Sequence, residues 1–373
     1  MSLLNVKLLA EHIDSIAESD FCDHKVFGSA YFVYQDGMAF EKCYGTEDLG
    51  SDRMITPSSV FRLASMTKPI TAVATLILVE RGLLSLEDRV DRFLPELGSI
   101  EIKELGGKSY PAKKIPTVKS ILTHTSGIAS VWEKCAGMSA EDCLTLDSSI
   151  AFFIKNGLDF EPDSMQMYSG TGAFDVLTKI IEIVTQKDYL EFLKEEIFSP
   201  CGMPDTTFAP TAEQRSRMVA MHDRRDDRNA VFEMPDGCVF EGYPPTHYLG
   251  GAGLVSTLHD YANFAKMLLN KGQTENGRIL KESTFLQLCT PQVSKEIMPG
   301  SERWGLGVRV IAEDSYPYLP KGSYGWSGAY GSHFWIDPEN RIAAVFMKNS
   351  RHDGGAGNQS ARNFEKAVYS SVI

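Results

Sequence analysis

The spacing of apolar and polar residues changes along this chain between β-rich and helical patterns. Near the N-terminus, two β-rich runs at 28–34 and 38–44 flank Gln35-Asp36-Gly37. An Asp-Gly pair between such runs predicts a β-hairpin. From residue 69 to about residue 291 the spacing becomes helical, interrupted by Gly- and Pro-rich loops. Helices are predicted in this middle stretch at 69–84, 148–155, 173–185, 189–197 and 258–269.

β-rich runs return near the C-terminus at 304–311, 333–336 and 341–347, and a closing helix is predicted over 360–372. Residues 1–18 have the spacing of an amphipathic helix.

Because sheet-forming runs occupy both ends of the chain, we expect them to pair. The predicted fold is α+β: an antiparallel β-sheet from N- and C-terminal segments, flanked by helices, with a large α-rich inserted region. We divide the chain into a sheet domain of residues 1–68 and 292–373 and an α-rich helical domain of residues 69–291. A catalytic cleft is expected between the two parts.

The net charge of the chain limits the kinds of binding partner that we expect. The chain has 373 residues and a formal net charge of −12, with an isoelectric point of about 5.2. This acidic balance argues against nucleic acid and membrane partners, which would bind clustered Lys and Arg. The densest charge run, 223–228, mixes both signs, so we expect a solvated loop there, with a mobile flap as the alternative.

The seven cysteines are odd in number and include no Cys-x-x-Cys pair. Neither a disulfide framework nor a zinc site is indicated, so we expect reduced thiols, no metal and no cofactor. The N-terminal segment lacks the unbroken apolar run of a signal peptide, which favours a cytoplasmic location. The oligomeric state stays open.

The candidate chemistry begins at Ser65-Met66-Thr67-Lys68, the only Ser-x-x-Lys quartet in the chain. Three residues apart on a helix, Ser65 and Lys68 share one face. A serine at a helix start meets unpaired N–H groups, and a lysine one turn later can take its proton if desolvation lowers the lysine pKa. This pair is the minimum set for serine acyl transfer.

Two further segments could complete such a site. Tyr168 precedes a predicted helix in a Gly-rich turn, where its phenol could act as a second acid-base group. The segment 325–329 enters the C-terminal β-rich region, where a strand edge could place a backbone N–H opposite Ser65. The alternatives are an ordinary half-buried tyrosine and a glycine-rich turn.

The order and spacing of six stretches resemble the class C β-lactamase superfamily. This superfamily includes penicillin-binding D-Ala-D-Ala peptidases and the family VIII carboxylesterases, to which the chain is most similar. The stretches are 60–68, 121–127, 168–169, 199–203, 250–257 and 325–328.

The resemblance implies that Ser65 is the nucleophile and that Lys68 and Tyr168 activate it, without deciding which of the two is the base. It also implies an oxyanion hole formed by the N–H groups of Ser65 and Ala329. Substrate binding is assigned to Trp326, Ser327 and Gly328.

The resemblance also gives two segments a structural role. It places His124 in a turn after a helix, as an alternative to a catalytic base. It makes 250–257 a loop without chemistry that leads into the helix 258–269, with Ser256 or Thr257 as the N-cap.

Two departures from the family pattern bear on the substrate. The third motif usually begins with Lys or His, whereas this chain has Trp326, so recognition of a substrate carboxylate should be weaker. In the second motif, Tyr168-Ser169-Gly170 lacks the amide of the β-lactamase form, Tyr-x-Asn. Both changes favour small neutral esters, with Trp326 as an apolar wall.

The leading hypothesis is therefore a serine hydrolase, a carboxylesterase that forms an acyl-enzyme at Ser65 on a small-molecule ester or amide. A β-lactamase, a D-Ala-D-Ala carboxypeptidase or a D-amino-acid amidase could use the same residues. An α/β-hydrolase with Ser327 as nucleophile is disfavoured, because its elbow needs a strand before the serine and a helix after it. A non-catalytic binding protein is the remaining alternative.

Overall fold

The fold is described from a computed structural model, which covers residues 3–226, 228–234 and 237–373. Its α-helices are Val6–Cys22 (α1), Thr67–Glu80 (α2), Val118–Leu122 (α3), Trp132–Cys135 (α4), Leu146–Asn156 (α5), Gly172–Thr185 (α6), Tyr189–Leu193 (α7), Ser199–Cys201 (α8), Ala212–Ser216 (α9), Leu258–Leu269 (α10), Glu282–Cys289 (α11) and Gln359–Ser370 (α12). Its strands are Gly28–Gln35 (β1), Met38–Gly45 (β2), Phe61–Arg62 (β3), Glu101–Lys103 (β4), Ser109–Pro111 (β5), Met221–Arg225 (β6), Arg228–Phe232 (β7), Val255–Ser256 (β8), Gln273–Thr274 (β9), Gly277–Arg278 (β10), Glu302–Trp304 (β11), Arg309–Ile311 (β12), Tyr324–Ser327 (β13), His333–Asp337 (β14) and Ile342–Met347 (β15).

The main sheet unites the two ends of the chain. Its strand order is β11-β12-β13-β14-β15-β1-β2, with antiparallel neighbours throughout. The N-terminal hairpin β1–β2 joins the C-terminal strands through β15, where Ala30 lies opposite Met347. The α+β prediction is therefore confirmed, whereas the proposed domain boundaries stay a prediction.

Helices cover both faces of this sheet, which explains why β1 is buried along most of its length. Tyr31 and Val33 point into a core with α1 and α12 on one face. Ala30 and Phe32 point into the larger core on the other face, which contains α2, α6 and α10. Alternating side chains thus serve two apolar layers, because successive residues of a strand face opposite sides.

Two predicted segments differ from the structure. The run 304–311 is two strands, β11 and β12, because residues 305–308 form a tight turn in which Gly307 has φ +73°. The run 223–228, expected as a solvated loop, belongs to the hairpin β6–β7, although Asp227 lies outside the described residues. Buried Met221, which packs with Phe232, anchors this hairpin and explains the difference.

Helix α11 had no counterpart in the sequence prediction. Within the described part of the chain, no helix is both long and apolar enough to cross a lipid bilayer.

Candidate active site

The chain bends sharply just before Ser65. Strand β3 pairs with β8 and ends at Arg62, and a 3-10 helix, Ala64–Met66, leads directly into α2. Ala64 has φ +45°, a left-handed conformation that is unusual for a residue with a side chain and costs about 1–3 kcal/mol. This bend leaves the Ser65 side chain at the edge of a buried region, where the residue is 9% exposed.

The structure brings the three predicted acid-base groups together. The Tyr168 hydroxyl lies 2.8 Å from Ser65 Oγ, and Lys68 Nζ lies 3.4 Å from the same oxygen. Ser65 and Lys68 share a helical face, as their spacing predicts, whereas Tyr168 comes from the loop before α6. The three groups are within reach for proton transfer.

Lys68 is fully buried between two backbone carbonyls. Its amine donates to Gly170 O at 2.6 Å and to Gly251 O at 2.9 Å. No carboxylate of the described residues lies within ion-pairing distance of it. Burial lowers the pKa of Lys68, because it penalises the charged form. The segment 250–257, to which we assigned no chemistry, thus holds Lys68 through Gly251.

Aromatic rings surround Tyr168. Its ring lies 5.3 Å from Trp326 and 5.9 Å from Trp304, measured between ring centroids. The indole N–H of Trp326 donates to the Tyr168 hydroxyl at 3.2 Å. Trp326 is therefore a hydrogen-bond donor to Tyr168 as well as the predicted apolar wall, and sequence reasoning missed this donor.

His124 contacts the Tyr168 ring and the backbone of the next residue. It lies in the turn after α3 with φ +56°, and its Nδ1 accepts the backbone N–H of Ser169 at 3.1 Å. Its ring lies 4.5 Å from the Tyr168 ring, and burial together with Lys68 holds the pKa of His124 well below its usual value. A neutral His124 with Nδ1 as acceptor therefore orients the loop that carries Tyr168.

Strand β13 lies beside the nucleophile. A Cβ atom at Gly328 would lie 2.3 Å from both Leu63 O and Ser332 Oγ, so only glycine allows this close approach. The Gly328 N–H donates to Ser332 O at 2.7 Å. Ala329 follows in an exposed turn. The predicted substrate-binding segment thus runs past the backbone that leads into Ser65.

Ser327 points away from Tyr168 into a buried polar chain. Its Oγ lies 2.7 Å from His333 Nδ1, and His333 Nε2 lies 3.0 Å from Glu365 Oε1. This Ser-His-Glu chain resembles a catalytic triad in connectivity. Ser327, however, is 3% exposed at the end of β13, and the next element is β14 rather than a helix. The elbow of an α/β-hydrolase is therefore absent at Ser327.

A cavity of about 220 Å³ opens beside Tyr168 and Trp326. Arg309 and Arg362 also contribute to its wall. Arg309 is paired with Glu365 at 2.9 Å, whereas Arg362 has no carboxylate partner among the described residues. Sequence reasoning missed both arginines, since neither Arg309 on β12 nor Arg362 on α12 belongs to a motif. A larger cavity of about 370 Å³ elsewhere in the molecule includes none of the predicted site residues.

Comparison with known proteins identifies the family. The Beta-lactamase family model matches residues 8–367. The chain belongs to this family. Its members include esterases, penicillin-binding proteins and acyltransferases, which are serine hydrolases or related acyl-transfer enzymes.

One similar relative is Esterase EstB of Burkholderia gladioli, which is 26% identical over 385 residues, covering 95% of this chain and 94% of the relative. Two solved structures show the same fold. One is EstCE1, titled a hydrolase with promiscuous acyltransferase activity, with a TM-score of 0.82, 21% identity and coverage of 97% of this chain and 99% of that chain. The other is Simvastatin Synthase (LovD) from Aspergillus terreus, with a TM-score of 0.81, 20% identity and 97% coverage of both chains.

Proposed function

We propose that this protein is a carboxylesterase that hydrolyses small esters through an acyl-enzyme at Ser65. The observation that carries the proposal is the convergence of Tyr168 and Lys68 on Ser65 Oγ, at 2.8 and 3.4 Å. A serine flanked by two proton-transfer groups in a cleft has what acyl transfer requires.

We assign the base to Lys68. A neutral amine has two hydrogens, and two carbonyl oxygens, of Gly170 and Gly251, accept them. The lone pair is then free to face Ser65 Oγ. The lowered pKa of Lys68 supports the same assignment. Tyr168, which accepts the Trp326 N–H, would relay a proton between Ser65 and the leaving group.

The oxyanion hole is assigned to the N–H groups of Ser65 and Ala329. Gly328 N–H is occupied by Ser332 O, and the contact of Gly328 with Leu63 O keeps the next residue close to Ser65. Two backbone N–H groups at such a point would stabilise the negative oxygen of the tetrahedral intermediate.

The reaction then proceeds in two halves. Ser65 Oγ bonds to the ester carbonyl carbon while its proton passes to Lys68. The bond to the alcohol oxygen breaks as that proton is returned through Tyr168, which releases the alcohol and leaves acyl-Ser65. Water then passes a proton through Tyr168 to Lys68 as its oxygen bonds to the acyl carbon. The Ser65 Oγ–acyl bond breaks, Oγ takes the proton back from Lys68, and the acid is released.

The charge of the substrate is open to a direct test. Trp326 in place of a cation favours neutral esters, whereas Arg362 in the cavity wall offers a guanidinium to a carboxylate. We keep the neutral ester as the proposal. Comparing p-nitrophenyl butyrate with the p-nitrophenyl monoester of succinic acid, in wild type and in Arg362→Ala, decides between them. A lower KM for the charged ester that Arg362→Ala abolishes would replace the neutral-ester proposal.

Acyl transfer to an alcohol is a second candidate. The cleft beside Tyr168 is lined by the indoles of Trp304 and Trp326, an apolar surface that would favour an alcohol acceptor over water. Adding a primary alcohol to the ester assay and measuring the ratio of new ester to free acid tests this candidate.

The central experiment is the hydrolysis of short-chain p-nitrophenyl esters by wild type and Ser65→Ala. We expect wild-type turnover and a loss of at least about 1,000-fold in Ser65→Ala, because the covalent route is removed. A fluorophosphonate probe should label wild type at Ser65. Equal rates in the two proteins would disprove the esterase, and absence of labelling would favour a non-catalytic binding protein.

The same panel should include nitrocefin, a D-Ala-D-Ala peptide and a D-amino-acid amide. These substrates represent the β-lactamase, carboxypeptidase and amidase alternatives. Faster turnover of any of them than of the esters would change the substrate class while keeping Ser65 as the nucleophile.

A further inference from the structure

His247 is buried between two hydrogen-bond acceptors. Its Nδ1 lies 2.8 Å from Cys143 O, and its Nε2 lies 3.2 Å from Asp175 Oδ2. A carbonyl oxygen can only accept, so Nδ1 carries a hydrogen. The Asp175 carboxylate oxygen likewise accepts, so Nε2 carries a hydrogen too and the ring is an imidazolium. His247 and Asp175 therefore share one extra proton and form a neutral pair.

The other groups around the ring agree with a charged His247. The Tyr243 ring lies 5.1 Å away, and Ser149 Oγ donates to Asp175 Oδ2 at 2.8 Å. Burial opposes the charge, but the Asp175 carboxylate and the hydrogen bonds to Asp175 and Cys143 outweigh it, so the pKa of His247 is raised. Burial also raises the pKa of both Tyr243 and Cys143, which keeps their side chains neutral near pH 7.

His247 begins the segment that holds Lys68. Leu249 N donates to His247 O at 2.8 Å, and Gly253 N donates to Leu249 O at 2.8 Å, so residues 247–253 form consecutive tight turns. Gly250 and Gly251, inside these turns, accept hydrogen bonds from Thr71 and Lys68. Anchoring His247 therefore anchors the carbonyl that orients the Lys68 amine.

Asp175 also acts on Lys68 through its charge. It lies in the first turn of α6. Burial lowers the pKa of Lys68, Tyr168 works to raise it through its charge and a hydrogen bond, and the Asp175 charge adds to this opposing effect. In the described part of the chain, His247 is the only basic side chain within 4.0 Å of Asp175. An uncompensated Asp175 would favour a protonated Lys68, which cannot act as a base.

We infer that His247 is a positioning residue for Lys68: its imidazolium neutralises Asp175 and anchors the 247–253 segment whose Gly251 carbonyl holds the Lys68 amine. The inference rests on the proposed role of Lys68 as the base. It extends the proposed function, because the ability of Lys68 to act as a base then depends on the protonation of His247, which does not contact the substrate.

Three variants test the inference through the pH dependence of kcat/KM. His247→Gln removes the counter-charge of Asp175 while Ser149 Oγ still donates to that carboxylate, so the acid limb should move up by about one pH unit. At neutral pH its kcat should fall about 10-fold with KM within about two-fold. Asp175→Asn removes both charges, because a buried imidazole without the carboxylate gives up its proton. The double variant likewise has no net charge, so its acid limb should return to within about 0.3 unit of wild type.

The control is His259→Gln, which removes a histidine that pairs with Glu41 at 2.8 Å on the surface. Its profile should match wild type. The inference is overturned if folded His247→Gln keeps the acid limb of wild type, or if adding Asp175→Asn to it fails to restore that limb. His247 would then contribute to fold stability alone.

A measurement on wild type covers the case in which His247→Gln does not fold. In ¹⁵N-histidine NMR at pH 7, the His247 signals, assigned by their shift in Asp175→Asn, should show protons on both ring nitrogens. A neutral ring would overturn the inference. Failure of the proposed function is distinguishable, because wild type would then neither hydrolyse esters nor label at Ser65.

Discussion

At the level of single residues, Trp326 departs from the Lys or His that the family resemblance predicts at this position. Its N–H bonds to the Tyr168 oxygen at 3.2 Å. A donor at that oxygen stabilises any negative charge that develops on the phenol during proton relay. In the proposed proton relay, Trp326 would therefore have an electrostatic role in addition to its apolar surface.

This role predicts the effect of Trp326→Phe, which keeps an aromatic wall but removes the N–H. We expect kcat for p-nitrophenyl butyrate to fall about 2–10-fold, the value of one hydrogen bond, with little change in KM. Trp132→Phe is the matched control, since Trp132 is 77% exposed. Unchanged kcat in Trp326→Phe would show that the donor has no part in catalysis.

Among the elements, the close approach of β13 to the start of α2 sets the position of the proposed oxyanion hole relative to Ser65. Gly328 touches Leu63 O directly before the bend at Ala64, so the strand and the start of α2 have one relative position. The oxyanion hole that we propose spans these two elements. Any side chain at Gly328 would push them apart.

We therefore expect Gly328→Ala to lower kcat about 100-fold, because displaced donors no longer match the oxyanion. Gly137→Ala serves as control, since a Cβ there would meet nothing closer than Lys134 O at 3.9 Å. Steady-state kinetics with circular dichroism separates this effect from unfolding. A folded Gly328→Ala with wild-type kcat would contradict the proposed hole.

At the scale of the whole molecule, Glu365 joins the closing helix to the sheet. It accepts from Arg309 on β12 at 2.9 Å and from Tyr316 at 2.8 Å, and it pairs with His333 on β14 at 3.0 Å. Burial alone would raise the pKa of Glu365, but the His333 hydrogen bond and the Arg309 charge outweigh it and lower the pKa to about 2.

This pKa predicts acid sensitivity. Because the folded value lies below the ordinary 4.5, the contribution of Glu365 is fully present above about pH 4.5 and is lost as the pH falls toward 2. Its full size is about 3 kcal/mol. Urea unfolding between pH 7 and pH 3 should show this loss, and Glu365→Gln should be less stable at pH 7 with a shallower pH dependence. Parallel pH curves would contradict the assignment.

Patterns along the chain predicted several of the elements and the candidate trio Ser65, Lys68 and Tyr168, whereas α11 and the hairpin β6–β7 had no counterpart in the prediction. Spacing along the chain is local information, so it predicted the β1–β2 hairpin, the helix α10 and the shared face of Ser65 and Lys68. Of the two predicted caps of α10, Ser256 and Thr257, the structure has Thr257. The family motifs added Tyr168, which lies 103 positions from Ser65 along the chain and 2.8 Å from it in space.

The partners of those residues follow from packing between distant segments, which the sequence patterns do not reveal. Segments far apart in the chain supply these partners. They are the Gly251 carbonyl that accepts from Lys68, the Trp326 N–H that donates to Tyr168, and the Arg362 guanidinium in the cavity wall. No periodicity encodes such contacts, because they depend on how separate layers pack and which backbone atoms stay unpaired. The order of residues thus names the candidate groups, and the packing sets their contacts and orientation.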